Sequence, residues 1–337
     1  MPELPDITVY CEHIAARTVG KRLVKIRLAS PFFLRSVKPS PRDLEGAEVT
    51  GVSRLGKRVV LELDAGRFIV IHLMVSGRFR WGEPNAKIPG KLGLAALDFE
   101  SGTLIVTEAS SKKRASLHLA EGPSALEPFQ RGGLEVLGAT RDEFVATLTR
   151  EVHTLKRSLT DPTLLSGIGN GYSDEILFDA QLSPMKLSSA VKDVEWTRLY
   201  ESTKRVLVST TDRLRKEYAG TFPEGVTAFR ADMKVHGKYG TPCPQCGAKI
   251  QRIAYADNET NYCADCQTGG KLLADRSLSR LLGKDWPKTL EELEERRPAA
   301  QLAPNPARST KSPKPKRSKP TASKPTASKP KAPPDAT

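Results

Sequence analysis

Four of the five cysteines in this chain form two close pairs, and their spacing is the strongest constraint on the fold. Cys243 and Cys246 are separated by two residues, and sixteen residues later Cys263 and Cys266 repeat that separation. This spacing predicts a tetrahedral four-thiolate zinc site. Because all four ligands come from protein, no position is left for water or substrate, so the sequence predicts one structural Zn²⁺.

The surroundings of the cysteines leave two roles open for this zinc module. A module rich in basic side chains suits a nucleic-acid groove, whereas a zinc ribbon that only stabilises the C-terminal part is the alternative. The paired spacing also argues against a disulfide framework and fits a reducing compartment. The basic side chains nearby are Lys234, His236, Lys238, Lys249 and Arg252.

Positive charge is concentrated at the C-terminal end. The 337 residues carry a net charge of +14, and residues 298–337 contribute +8 from nine Lys/Arg and one Asp. The same segment holds ten of the 25 prolines, so it cannot bury enough apolar surface to fold and is predicted to be disordered. As a mobile polycation it adds salt-sensitive attraction to nucleic acid. A solubilising appendage is the alternative.

Hydrophobic patterning excludes a membrane protein. No stretch reaches the roughly 18 apolar residues of a membrane span. Pro2, Glu3 and Asp6 occupy positions where a signal peptide carries positive charge. We therefore expect a soluble intracellular protein.

The N-terminal part of the chain is predicted to be rich in β-strands. Pro5 and Asp6 suit the first turn of a helix that ends near Gly20, with Cys11 as a buried thiol on its apolar face. Residue patterns of period two then indicate hairpins, and therefore an antiparallel sheet or sandwich. The predicted strands are 23–28, 58–63, 68–73, 94–99 and 103–107.

From residue 140 onward the pattern is helical. We expect a short helix opened by Asp161-Pro162, a glycine turn, a helix over about 171–180, and two helices within 190–218. The predicted fold class is α+β multidomain. Its parts are a β-rich N-terminal domain (1–135), a helical domain (136–232), the zinc module (233–270), a helical extension (271–297) and the disordered tail (298–337).

Five sequence motifs occur along the chain in a fixed order. They are Pro2-Glu3-Leu4-Pro5, Gly56-Lys57, His72-Leu73-Met74 with Ser76-Gly77-Arg78, Gly167-Ile168-Gly169-Asn170-Gly171-Tyr172 with Glu175 and Phe178, and the four cysteines. With these motifs the chain resembles the formamidopyrimidine-DNA glycosylase and endonuclease VIII family of DNA repair enzymes. The resemblance covers roughly residues 2–270 and implies an N-terminal catalytic β-sandwich, a helix-two-turns-helix DNA-binding domain and a zinc finger.

The resemblance implies a catalytic role for the N-terminus. Removal of Met1, which a small second residue permits, leaves Pro2 with a secondary amine, and an α-amino group titrates near about 8 and can act as a nucleophile. The family's reaction is attack on C1′ of a damaged nucleotide, loss of the base, a Schiff base intermediate and strand cleavage by elimination. By the same resemblance Glu3 assists opening of the sugar ring. Lys57 contacts phosphate and assists elimination, unless it is simply a solvated lysine at a strand edge.

The glycine turn implies contacts to DNA. Glycines let backbone N–H groups at a helix start approach a phosphate, although such a turn can also be purely structural. By resemblance Gly169, Asn170 and Tyr172 belong to this DNA-binding motif, and Lys156 is a second phosphate contact. A flipped base leaves a gap in the helix, which the family fills with an apolar side chain. Met74 matches that residue, and a core methionine is the alternative.

The chain departs from the family at three places. Asn258 stands where the finger normally has an arginine, which removes a bidentate phosphate contact and puts the second elimination step in question. Residues 108–114 lack the family's additional wedge side chains, which indicates altered opposite-base discrimination or an unpaired substrate. Residues 218–235 are short for the loop that caps oxidised purines, which favours pyrimidine lesions, abasic sites or bulky and crosslinked adducts.

Three functions remain to be compared. The first is a glycosylase with AP lyase activity acting through Pro2, and the second is a catalytically weak protein that binds damaged DNA or abasic sites on the same scaffold. A zinc-ribbon transcription factor explains only the cysteines. The expected partner is damaged DNA, duplex or single-stranded, and the expected state is a monomer. Bacterial cytoplasm, at the nucleoid, is the expected location, with the nucleus equally compatible with the composition.

Overall fold

The computed structural model describes residues 1–122, 124–225, 230–255 and 258–273, together with residues 287, 289 and 292. The predicted basic tail (298–337) and most of the predicted helical extension (271–297) lie outside the described residues. The helices are α1 Leu4–Thr18, α2 Pro41–Leu44, α3 Arg141–Leu148, α4 Leu155–Thr160, α5 Asn170–Asp179, α6 Asp193–Glu217 and α7 Ala264–Thr268. Short 3₁₀ turns are Pro31–Phe33, Asp64–Gly66, Glu127–Phe129 and Ser188–Ala190.

The strands form two antiparallel four-stranded sheets and one hairpin. One sheet has the order β1-β6-β7-β5 and the other β2-β3-β4-β8, while β9 pairs with β10. The strands are β1 Leu23–Leu28, β2 Val49–Leu55, β3 Arg58–Leu63, β4 Arg67–His72, β5 Gly77–Gly82, β6 Gly93–Phe99, β7 Gly102–Glu108, β8 Ser116–Glu121, β9 Gln251–Tyr255 and β10 Asn258–Tyr262. The predicted β-sandwich with an N-terminal helix is therefore confirmed.

Two hydrophobic cores meet at the first residues of α1. The core of the sandwich joins α1 to both sheets, with Ile7, Val59 and Val106 fully buried. Leu4, the first residue of α1, belongs instead to the core of the helical domain, together with Ile176. The N-terminal segment is thus fixed by the burial of apolar surface on both sides.

Two helix predictions were wrong. Asp161 ends α4 instead of starting a helix, because its carboxylate accepts hydrogen bonds from the backbone N–H and hydroxyl of Thr163 (2.9 and 2.6 Å) and so forms a turn. The region predicted as two helices within 190–218 contains the single helix α6, whose 25 residues include neither glycine nor proline to interrupt it.

The zinc module is attached to α5. Phe178 of α5 packs against Cys243 and Cys263 in a small core. Glu175, one turn earlier, is buried, and its carboxylate accepts backbone N–H groups from residues 234, 235 and 236, each at 2.9 Å. Residues 234–236, at the start of the zinc module, are therefore anchored to α5.

No helix in the described part of the chain is long and apolar enough to cross a membrane.

We predict that Glu175→Ala lowers the free energy of unfolding by about 2–4 kcal/mol, because three buried N–H groups lose their acceptor. Urea-induced unfolding measures this change. Glu201→Ala on the exposed side of α6 is the matched control, with an expected change within about 0.5 kcal/mol. Equal effects of the two substitutions would contradict the role given to Glu175.

Candidate active site

Glu3 is a buried carboxylate bound to the first turn of α5. Its oxygens accept the backbone N–H groups of Gly169 (2.6 Å), Gly171 (2.8 Å) and Tyr172 (3.2 Å). The first N–H groups of an α-helix have no partner within the helix, and the helix dipole favours an anion there. These four residues form what we call the Glu3 cradle, which holds the N-terminal segment on the helical domain.

The side chains of Lys57 and Glu3 both lie against Gly169. A Cβ atom on Gly169 would lie 2.7 Å from the Glu3 carboxylate and 2.7 Å from Lys57 Nζ, so only glycine fits between the two side chains. Burial lowers the pKa of Lys57, and Lys156 lowers it further, while Glu3 opposes this shift. A lysine amine and a carboxylate are therefore held together beside the N-terminus.

The N-terminus lies at the same place. Pro2 is buried, and Met1 lines a cavity of about 510 Å³ together with Lys57. Burial is the main cause that lowers the pKa of the terminal amine of Met1, and the charges of Arg78 and Lys57 act in the same direction. An amine at this end of the chain thus has a larger uncharged fraction at neutral pH than a free amine has.

Lys156 and Asn170 are also brought to this region, but each has a partner within the protein. Lys156 is buried, and its Nζ lies 2.5 Å from Asp174 Oδ1 and donates to the carbonyl oxygen of Asn170 (2.7 Å). The amide of Asn170 donates to the carbonyl oxygen of Glu259 in the zinc module (2.8 Å). Tyr172, a member of the Glu3 cradle, is buried.

Met74 and Asn258 are placed differently. Met74 lies in the turn before β5 with a left-handed backbone (φ 52°), and Asn258 begins β10 and is exposed. Among the described residues neither one hydrogen-bonds to the Glu3 cradle. In the turn before β5, the exposed apolar side chain is that of Val75, which is 51% exposed. The sequence does not predict that Val75 is the exposed residue, because the left-handed backbone of Met74 cannot be read from composition.

The four predicted metal ligands converge. The Sγ atoms of Cys243, Cys246, Cys263 and Cys266 all lie within 4.8 Å of one another. Two of these pairs are separated by 3.9 Å (Cys243 and Cys266) and 3.4 Å (Cys246 and Cys263). Tetrahedral thiolates around zinc are about 3.8 Å apart, so this set fits one structural Zn²⁺. Cys11 is separate and buried, and burial raises the pKa of its thiol to about 12, as expected for an unreactive cysteine.

Three family models match the chain. They describe the formamidopyrimidine-DNA glycosylase N-terminal domain (residues 1–114), the formamidopyrimidine-DNA glycosylase H2TH domain (136–216) and the zinc finger found in FPG and IleRS (240–269). A formamidopyrimidine-DNA glycosylase of Symbiobacterium thermophilum is 30% identical over 281 residues, which cover 79% of this chain and 89% of the relative. This chain belongs to the formamidopyrimidine-DNA glycosylase family.

Other relatives agree with this assignment. An uncharacterized formamidopyrimidine-DNA glycosylase-like protein of Mycobacterium tuberculosis is 36% identical over 150 residues, or 44% of this chain and 93% of that protein. The solved complex of Lactococcus lactis Fpg with DNA containing an abasic site superposes with a TM-score of 0.70 at 25% identity. That match covers 79% of this chain and 99% of the other. The helical part of the chain is thus the helix-two-turns-helix domain of this family.

Sequence reasoning missed the buried polar network that joins this domain to the finger. His236 Nδ1 lies 2.8 Å from Asp174 Oδ2, and the same oxygen accepts the backbone N–H of Asn261 (3.1 Å). A Cβ atom on Gly171 would lie 3.3 Å from both Glu3 Oε1 and His236 Cδ2. The finger therefore reaches the Glu3 cradle through His236. No sequence motif signals this contact, because its members are far apart in the chain.

Asp6 is a second buried acid near the N-terminus. Its Oδ2 accepts the backbone N–H of Glu3 (2.8 Å), while Oδ1 has no hydrogen-bond partner among the described residues. Burial raises the pKa of Asp6 to about 7, and the nearby Glu3 acts in the same direction. The folded protein thus holds a proton on Asp6 over a pH range in which an unfolded chain has released it.

We predict that Asp6 makes the protein less stable as the pH rises. Between about pH 4 and pH 7 the folded state binds this proton and the unfolded state does not, so the free energy of unfolding falls across this window. Asp6→Asn cannot titrate and is expected to flatten this decline. Urea midpoints measured from pH 5 to pH 8 test it, with the exposed Asp142→Asn as control. A slope that Asp6→Asn leaves unchanged would show that Asp6 is ionised in the fold.

Proposed function

We propose that this chain is a base-excision DNA glycosylase with AP lyase activity, and that the amine of Pro2 is its nucleophile after removal of Met1. The observation that carries the proposal is the Glu3 cradle. It holds the residue next to Pro2 against the helix-two-turns-helix domain, with Lys57 beside it at Gly169. Family membership and the DNA-bound relatives support the glycosylase class.

Each of these residues takes the step of the reaction that fits its position. The buried Pro2 amine attacks C1′ of the damaged nucleotide and loses its proton, and the bond from C1′ to the base breaks, so that the base leaves with that electron pair. The C1′–O4′ bond then breaks, with Glu3 assisting transfer of a proton to O4′, and the Schiff base forms. The Glu3 carboxylate lies next to the cation that develops on the nitrogen and stabilises it. Lys57, whose pKa burial lowers, assists proton removal in the elimination that cuts the strand.

The remaining candidate residues act on the DNA. Asn170, which begins α5 and is half-buried, contacts a phosphate, and Gly169 and Tyr172, whose N–H groups bind Glu3, hold that turn in place. Lys156 supports the turn through Asn170, and Met74 fills the gap left by the flipped base. Val75 joins Met74 in this role because its side chain is exposed. We further propose that the protein acts as a monomer in the bacterial cytoplasm, at the nucleoid; the organisms of its relatives, which are bacteria, support the bacterial setting.

A damage-binding protein without strong catalysis is the second candidate. Two observations favour it: Asn258 replaces an arginine in the finger, and Lys156 is neutralised by Asp174. Both changes remove a cation that would hold a phosphate during strand cleavage, which favours weak catalysis. They also weaken the electrostatic part of DNA binding, which counts against a dedicated binder. The intact Pro2 and Glu3 pair favours the enzyme.

We predict that borohydride traps this protein on duplex DNA containing an abasic site only when Pro2 is the first residue. A matched pair tests this: the chain with a free Pro2 amine, and the same chain with an N-terminal extension that keeps the proline nitrogen in a peptide bond. Glu3→Gln is expected to slow trapping by about 10²-fold. Equal trapping with and without the extension would place the nucleophile elsewhere. No adduct in either, together with tight binding of abasic DNA, would support the damage-binding protein.

We predict that Gly169→Ala slows adduct formation on the order of 10²-fold, because the new methyl group displaces Glu3 and Lys57 from each other. Single-turnover trapping rates measure the effect. Gly90→Ala is the matched control, since no atom lies within 4 Å of a Cβ built there. If Gly169→Ala traps as fast as Gly90→Ala, the placement of Glu3 and Lys57 on either side of Gly169 is not needed for the reaction.

A further inference from the structure

The cavity beside Lys57 is lined by five separate segments of the chain. They are the N-terminus at Met1, the turn between β2 and β3, the end of β4 at His72, the linker between the two domains, and the turn before α5. Its volume is about 510 Å³. The linker is fixed to that turn by hydrogen bonds from Leu134 N to Leu164 O (2.8 Å) and from Ser166 N to Leu134 O (2.9 Å). The cavity is therefore part of the folded structure at the junction of the domains.

Positive charge in this cavity exceeds negative charge. The cations Lys57, Arg58 and Arg131 line it, His72 is present as a neutral imidazole at pH 7, and the acidic residue in its wall is Glu135. Glu135 is ion-paired with Arg54 and accepts a hydrogen bond from Ser166 (2.5 Å). Within the described part of the chain, no carboxylate lies at ion-pair distance from Arg58 or Arg131. The cavity thus presents cationic groups that lack counter-ions.

The pKa shifts of Arg58 and His72 show that the cations in this cavity lie close together. Burial lowers the pKa of Arg58, and the charge of Arg131 adds to this shift. Burial also lowers the pKa of His72 to about 4, with Arg58, Lys57 and His118 acting in the same direction. Crowding of like charges is unfavourable, and a bound anion removes that cost.

Arg58 is held in place before any ligand arrives. Its Nη1 donates to the carbonyl oxygen of Phe129 (3.3 Å), and its guanidinium carbon lies 5.9 Å from the centre of the Phe129 ring. The Phe129 ring also contacts His118, with 5.0 Å between ring centres. Because this arginine is already ordered, a ligand that pairs with it loses less conformational entropy on binding.

We propose that this cavity binds the terminal phosphate monoester of a cut DNA strand, with Arg58 and Arg131 as its charged contacts. A phosphodiester within a strand carries one negative charge, whereas a terminal phosphate monoester carries about −1.5 to −2 at pH 7. Arginine matches phosphate oxygens in a bidentate geometry. The excess of unpaired cations therefore suits the strand end better than an intact backbone.

This proposal rests on the lyase activity proposed above, because elimination creates such an end. A base removes a proton from C2′ of the sugar, the C3′–O bond breaks, and its electron pair leaves with the phosphate of the neighbouring nucleotide. No water and no oxidant are consumed. That step leaves a 5′-phosphate end, and a second elimination leaves a 3′-phosphate end, so both ends share the chemistry that the cavity recognises.

Unreactive gapped duplexes test the proposal. Three DNA duplexes with a one-nucleotide gap carry a 5′-phosphate, a 3′-phosphate, or hydroxyls at both ends, and fluorescence anisotropy at fixed ionic strength gives each Kd. We expect the wild-type protein to bind at least one phosphate-ended duplex about tenfold more tightly than the hydroxyl-ended one. The end that is preferred identifies the source of the phosphate. Arg131→Gln and Arg58→Gln are expected to reduce this preference to within about twofold.

Arg42→Gln, an exposed arginine on α2 in the same domain, is the matched control and is expected to keep the preference. Equal affinity of the wild type for all three duplexes would overturn the proposal, and so would a preference that survives in both Arg58→Gln and Arg131→Gln. A loss of preference in Arg42→Gln as large as in Arg131→Gln would also overturn it, because it would indicate a general charge effect. Arg131 is exposed, so its variant carries the test even if Arg58→Gln does not fold.

The outcome is separable from that of the proposed function. The gapped duplexes contain no abasic sugar, so their binding does not require a reactive Pro2. A borohydride adduct without any end preference would leave the lyase standing and remove the phosphate site. An end preference without an adduct would leave the site standing as a strand-end binder and remove the lyase.

Discussion

The Glu3 carboxylate on the first turn of α5 is the interaction on which the rest of the site depends. It satisfies three backbone N–H groups that the helix cannot satisfy itself, and it does so from the residue next to Pro2. A buried charge is costly unless it is fully hydrogen-bonded, so this one contact fixes both its depth and its orientation. The N-terminus is therefore positioned by the helical domain, although its chain belongs to the β-sandwich.

The next turn of α5 binds the zinc module. Asp174 pairs with Lys156 on one oxygen and with His236 and the Asn261 N–H on the other, while Glu175 accepts three N–H groups of the segment that leads into the finger. Two adjacent acids thus tie the finger to the helix that holds Glu3. A structural metal site is in this way connected to the helix that positions Glu3.

The sequence predicted local features well and contacts between distant segments poorly. Ligand spacing identified the zinc site, and alternation identified strands such as β1 and β3, because both signals are contained in a few consecutive residues. It also predicted Glu3 and Lys57 as catalytic residues through the family resemblance, and the structure places both against Gly169. It could not foresee that Lys156 is paired with Asp174, since that contact depends on how α4 and α5 pack. The hydrogen bond between Asn170 and Glu259 was missed for the same reason.

Paired charges lie in the zinc finger, and unpaired charges lie on the side of the β-sandwich. In the finger, Arg252 lies over the ring of Tyr239 at 4.4 Å and 3.5 Å from a carboxylate oxygen of Glu259, and no arginine stands at position 258. On the side of the β-sandwich, Arg58 lines a cavity next to Met1 with no carboxylate partner among the described residues. An electrostatic attraction is strongest where charge is unpaired and shielded from water. Under the proposed function, this arrangement draws a phosphate toward the N-terminal amine and favours chemistry at that end over binding by the finger alone.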